Sequence, residues 1–199
     1  MDFKKKPTGK GTGAARPLTA HEIARLTDVA SLRDRALVWC CLGAGLRVGE
    51  ACSLTVGSID LDGSILIEAR KAKSRKSRRI YLSDEALVHL RAWMATLELS
   101  APSQPVFASR KGGGHIRSGS QVVEQLMLHC GIRGASSHSL RRSHATGLRD
   151  QGSDLLIARA QLGHVSIATT DVYLQAYPRQ QREEVKRLKL STDLTLAGV

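Results

Sequence analysis

Three short stretches of this chain combine residue types that can handle a phosphate. In Gly45-Leu46-Arg47-Val48-Gly49-Glu50 an arginine follows a glycine break at the start of a helical pattern, where backbone N–H groups and a guanidinium suit an anion. The same hexapeptide also reads as a surface ion pair between Arg47 and Glu50. His138-Ser139-Leu140-Arg141, followed by Arg142-Ser143-His144, places a histidine and an arginine three apart, so on a helix both reach one phosphate. In a chain this basic, such a pair also arises by chance. Finally, Leu162-Gly163-His164 is followed nine residues later by Tyr173. A helix cap and a packed tyrosine are the ordinary reading of that stretch taken alone.

Charge points to the same class of ligand. Lys and Arg number 30 against 18 Asp and Glu, a net of +12 over 199 residues. Ten of those charges lie in two stretches: residues 1–19 carry +4 and residues 68–79 carry +6. A nearly neutral body with two concentrated basic elements fits a phosphate backbone, although charge runs are also ordinary solvated faces. Aromatic residues at 4% count against a binder that stacks single-stranded bases. The longest uncharged apolar run, 36–46, has about half the length of a membrane span. No apolar stretch follows the basic N-terminus as in a signal peptide. Cys40, Cys41, Cys52 and Cys130 include no CxxC pair and read as small core residues, so neither a zinc site nor a disulfide framework is expected.

The elements that must position these residues are mostly helical. A capping box at Thr19 and Glu22 opens a first helix, and a largely apolar pattern from Leu32 to Gly43 predicts a second, central and buried. A short third helix runs from Arg47 toward Leu54. Alternation at Ser64–Ile67 and Arg79–Leu82, around the basic turn, predicts a small antiparallel hairpin or three-stranded sheet. Helical spacing resumes over 84–98 and 121–130, and again in three segments after Leu140 interrupted at Gly152, Gly163 and Pro178. The fold class is therefore α+β, mostly helical with a small antiparallel sheet. The expected organisation is a flexible basic arm at 1–18, one catalytic domain at 19–190 and a tail at 191–199.

Taken together, in this order and with the basic hairpin between the first and second, these stretches resemble the catalytic domain of the tyrosine recombinases, also called phage-type integrases. The resemblance covers 19–190, and the implied fold is the one that family shares with type IB topoisomerases. It implies that Arg47 and Arg141 are the two arginines of a phosphate clamp, with His138 beside the second. It likewise makes His164 the later histidine and Tyr173 the nucleophile. The family's lysine, counted back from Ile80-Tyr81-Leu82, falls on Lys73, with Lys71 the other candidate. Lys71, Arg75, Lys76, Arg78 and Arg142 are expected along the DNA backbone, and Glu50 behind Arg47, orienting it.

The implied activity is cleavage and rejoining of duplex DNA through a covalent 3′-phosphotyrosine, with no cofactor and no metal. The implied partner is double-stranded DNA, on which the chain would act as a homotetramer, in a prokaryotic or phage-encoded, cytoplasmic and nucleoid-associated setting without a membrane. A type IB topoisomerase-like relaxation of DNA and a non-cleaving DNA-binding regulator are the alternatives. Only the arm precedes the catalytic pattern, as in the short family members that lack an N-terminal DNA-clasping domain. That arm is expected to lie along phosphates. Deleting residues 2–16 should weaken duplex binding and flatten its salt dependence; an unchanged salt slope would make the arm irrelevant.

Overall fold

The computed structural model describes residues 15–68, 77–98, 100–109, 112, 114–153 and 155–163. Among them run α1 Ala20–Val29, α2 Leu32–Gly43, α3 Val48–Cys52, β1 Ser64–Ile67, β2 Arg78–Tyr81, α4 Asp84–Met94, α5 Gly119–His129, α6 Ser137–Asp150 and α7 Leu155–Leu162. A 3-10 turn at Val56–Ser58 leads into the sheet. This is the mostly helical α+β arrangement the sequence predicts. Lys71, Lys73, Arg75, Lys76, His164, Tyr173, residues 1–14, the helix expected at 179–190 and the tail 191–199 lie outside the described residues.

Helix α2 is the centre. Its largely apolar sequence puts every residue from Ala36 to Gly43 in the core, and α1, α3, α4, α5 and α6 all pack on it. Ser31 starts it, its hydroxyl accepting the Asp34 N–H at 3.2 Å. At its end the approach to α4 is so close that a Cβ on Gly43 would lie 2.3 Å from Ala86 Cβ. The backbone N–H of Ser83 donates to Gly43 O at 2.9 Å, tying the exit of the sheet to the end of α2. All four cysteines are buried, and burial pushes Cys40 up to about 12 and Cys52 up to about 11. They are packing groups.

The capping box forms as the sequence predicts: Thr19 Oγ1 accepts from the Glu22 N–H at 3.2 Å, and Glu22 Oε2 accepts from the Thr19 N–H at 2.9 Å. Packing nevertheless starts earlier than residue 19. Arg16 forks onto Glu22 at 2.8 and 2.6 Å and donates to Arg133 O at 2.8 Å, while Leu18 is buried. One cation assigned to the arm is thus spent on the fold. It also holds the Glu22 carboxyl down at about 2.

The sheet is two-stranded and antiparallel among the described residues, with Ile65 opposite Ile80 and Ile67 opposite Arg78. Ile59 adds one isolated bridge to Ile65, which is all that appears of a third strand there. Strand β2 opens at Arg78, one residue before the predicted start, and alternates with Ile80 inward and Arg79 and Tyr81 outward. Helix α6 begins at Ser137, three residues before the predicted Leu140, because Ser139 Oγ accepts the Ser136 N–H at 3.1 Å. His144, on α6, is bound to α2: its Nδ1 lies 2.8 Å from Leu42 O, to which it donates as the Nδ1–H tautomer. Burial, with the nearby Arg141 charge adding to it, pulls this imidazole down from 6.5 to about 4.

Two predictions follow from this packing. Gly43→Ala should lower stability by about 1–3 kcal/mol, whereas Gly49→Ala, where nothing lies within 4 Å of the added Cβ, should hold or gain up to about 1 kcal/mol. Equal effects in denaturant melts would contradict the close α2–α4 contact. His144 is held neutral in the fold and charges readily in the unfolded chain, so its contribution is complete above about pH 6.5 and is lost as pH falls toward 4. The loss is on the order of 3 kcal/mol. His144→Phe should flatten stability against pH over that interval; an unchanged profile would place the acid sensitivity elsewhere.

Candidate active site: two arginines at the α2–α3 corner

Between α2 and α3 the chain turns through Gly45, whose φ of 65° no β-carbon residue adopts easily. The His144 ring fills the space a side chain would need, since a Cβ there would lie 2.5 Å from His144 Cδ2. This turn delivers Arg47 to the N-cap of α3, with its side chain 28% exposed. Glu50, one turn later, reaches back. Its Oε2 accepts the Arg47 backbone N–H at 3.0 Å and its Oε1 accepts Arg47 Nη1 at 3.0 Å. The N-cap N–H of this five-residue helix is therefore taken by the chain's own carboxylate, and the Arg47 guanidinium stands partly exposed beside it.

Glu50 is only 4% exposed, so a second cation is needed, and β2 supplies it. Arg78 Nη2 donates to Glu50 Oε2 at 2.8 Å. Burial by itself raises the Glu50 carboxyl, but the bonds from Arg78 and from the Arg47 backbone outweigh it, and the net shift is downward. Arg78, expected along DNA, is instead turned inward with its side chain 10% exposed. It shares the inward face of β2 with Ile80 and balances a buried carboxylate. Arg142, expected on the same surface, is also buried at 7% exposure on α6.

Arg141 comes from α6. It is 3% exposed, and its guanidinium donates through Nη1 to Gly45 O and through Nη2 to Leu162 O at 2.5 Å. Two of its five N–H groups thus fix the plane of the fork. They also pin the corner that carries Arg47 to the end of α7, which leads into His164. His138, one turn before Arg141, is exposed at the start of α6. The structure therefore gathers Arg47, Glu50 and Arg141 about one corner, with His138 on the helix that brings Arg141.

Two contributors carry no motif. Gln161 pairs its amide with the Tyr81 backbone, donating to Tyr81 O at 2.6 Å and accepting the Tyr81 N–H at 3.2 Å, and it also donates to Ala44 O at 3.1 Å. It thereby joins α7 to the outer edge of β2 and to the corner. As the one amide in the stretch Leu155–Leu162 it carries no pattern that marks it. The second is a cleft of about 1270 Å³ beside α5, lined by residues that include His115, Arg117, Gln121, Gln125 and His129. Helix α5 abuts α3 at Gly119, where a Cβ would lie 2.3 Å from Cys52 Sγ. Among the described residues no three His, Cys, Asp or Glu side chains are grouped to hold a metal ion, and no helix is long and apolar enough to cross a membrane.

Comparison with known proteins agrees with this arrangement. Over 177 residues the chain is 29% identical to tyrosine recombinase XerA of Pyrococcus horikoshii, covering 87% of this chain and 61% of that one. It is 34% identical to tyrosine recombinase XerC of Proteus mirabilis over 177 residues, 80% of this chain and 56% of that one. The chain thus spans about three fifths of the length of these relatives. The crystal structure of XerA recombinase superposes with a TM-score of 0.75 at 25% identity, over 89% of this chain and 67% of that one. Residues 16–180 match the model of the phage integrase family, and the chain belongs to that family.

Proposed function

We propose that this chain is the catalytic part of a site-specific DNA recombinase that cleaves and rejoins duplex DNA through a 3′-phosphotyrosine. The observation that carries the reading is the α2–α3 corner, where a partly exposed Arg47 held by Glu50 meets an Arg141 oriented by two backbone carbonyls. Guanidinium forks keep their charge and offer paired donors, which suits the negative charge that builds on non-bridging oxygens during in-line attack. The kinship with proteins named tyrosine recombinases supports the same reading.

In this mechanism the Tyr173 oxygen attacks phosphorus as its proton passes to a nearby histidine, the O–P bond forms, and the bond to the 5′-oxygen breaks. Lys73 protonates the leaving oxygen, and His138 and His164 are the two histidines assigned to the site. The phosphotyrosine conserves the bond energy for rejoining, so the chemistry calls for no cofactor or metal. Lys71, Arg75 and Lys76 follow the DNA backbone, and the cleft beside α5 offers glutamines and basic groups of the kind that read base edges. The working form is a homotetramer on double-stranded DNA, in the cytoplasm of a prokaryote and associated with its nucleoid. Only three tyrosines occur in the chain, Tyr81, Tyr173 and Tyr177. On a nicked duplex that traps the covalent product, Tyr173→Phe should form no adduct and Tyr177→Phe should still form it. The reverse would reassign the nucleophile, and no adduct from the unaltered chain would leave a DNA-binding regulator.

A further inference from the structure

Glu50 is one carboxylate between two arginines, and the way it divides its oxygens is informative. A carboxylate alone with a guanidinium prefers the parallel two-bond fork. Here that fork does not form. Arg47 Nη1 takes Oε1, while Oε2 is occupied by Arg78 Nη2 and by the Arg47 backbone N–H. Among the described residues the Arg78 side chain has no hydrogen-bond partner other than Glu50, its Nε and Nη1 making none. Its Nε also lies against the turn after α7, where a Cβ on Gly163 would come within 2.5 Å. Arg78 is thus wedged between the carboxylate and the end of α7, out of solvent.

We propose that Arg78 is a positioning residue that keeps the Arg47 guanidinium available to phosphate by holding Glu50 Oε2 away from it. Two consequences follow from charge alone. With Arg78 present, the three groups carry a net positive charge toward an incoming phosphate. Without it, Glu50 and Arg47 close into a neutral, bidentate pair and the attraction at the corner is spent internally. Because Arg78 opens β2, the same contact ties the start of that strand to Glu50. The inference rests on the DNA-cleaving reading above and falls with it.

Epistasis tests it. Single-turnover adduct formation on a nicked duplex, at saturating DNA, is compared for the unaltered chain, Arg78→Met, Arg78→Lys, Glu50→Gln, and Glu50→Gln combined with each Arg78 change. Arg78→Met should slow adduct formation by about ten- to a hundredfold. The salt slope of duplex binding should stay unchanged, because Arg78 touches no phosphate. Adding Glu50→Gln should make Arg78→Met faster, since a neutral amide no longer captures Arg47. A group that merely supports the fold would leave the double variant as slow or slower. Arg78→Lys, which keeps the charge, should show a smaller loss with the same reversal, and it decides the matter if Arg78→Met melts before assay. An unimpaired Arg78→Met, a reduced salt slope, or no reversal in either background overturns the assignment while leaving the cleavage reading standing. No adduct from the unaltered chain overturns both.

Discussion

Burying a charge is tolerable only where a counter-charge or a set of backbone dipoles is already in place, and this fold does its charge burial around one corner. Glu50 is shut in by Arg47 and Arg78, and Arg141 is anchored on the carbonyls of Gly45 and Leu162. These bonds decide which elements may meet. The end of α2, the start of α3, strand β2, helix α6 and the end of α7 converge because each supplies one side of a buried polar pair. The apolar core around α2 makes the molecule fold; the buried charges give that corner a single arrangement.

Such an arrangement is suited to a group that must meet developing negative charge without reorganising. A guanidinium oriented before the phosphate arrives costs little to use at the moment of reaction. Arg141 is fixed by bonds to backbone, the least mobile partner available. Arg47 is fixed from one side by a carboxylate that is itself restrained by Arg78. Gln161 adds a third tie, matching its amide to the exposed backbone groups of β2 at Tyr81. Strand β2 and helix α7 are therefore tied together through Gln161.

Much of this was legible in the residues. The capping box at Thr19 and the apolar run of α2 each use local rules, and each gave its element. Arg47, Glu50 and Arg141 each had an ordinary reading as well, and it was the order of the three stretches that singled them out. Arg78 stands in a run of cations, where composition suggests solvent and DNA, yet its side chain is turned inward onto Glu50. Its place two before Ile80, on the inward side of the strand, was the contrary signal. Arg142, expected along the same DNA backbone, is 7% exposed on α6. Gln161 and His144 act through tertiary partners far along the chain, Tyr81 and Leu42, which no local pattern specifies.

The central claim is that Arg47 and Arg141 form one phosphate clamp whose geometry the buried pairs set in advance. A crystal structure of the chain on a nicked duplex tests it most directly. Both guanidinium groups should lie on oxygens of the same phosphate, with the Arg78–Glu50–Arg47 links and the bonds from Arg141 to Gly45 O and Leu162 O unbroken. A phosphate bound away from either arginine, or an Arg47 turned fully onto Glu50 while DNA is bound, would contradict it.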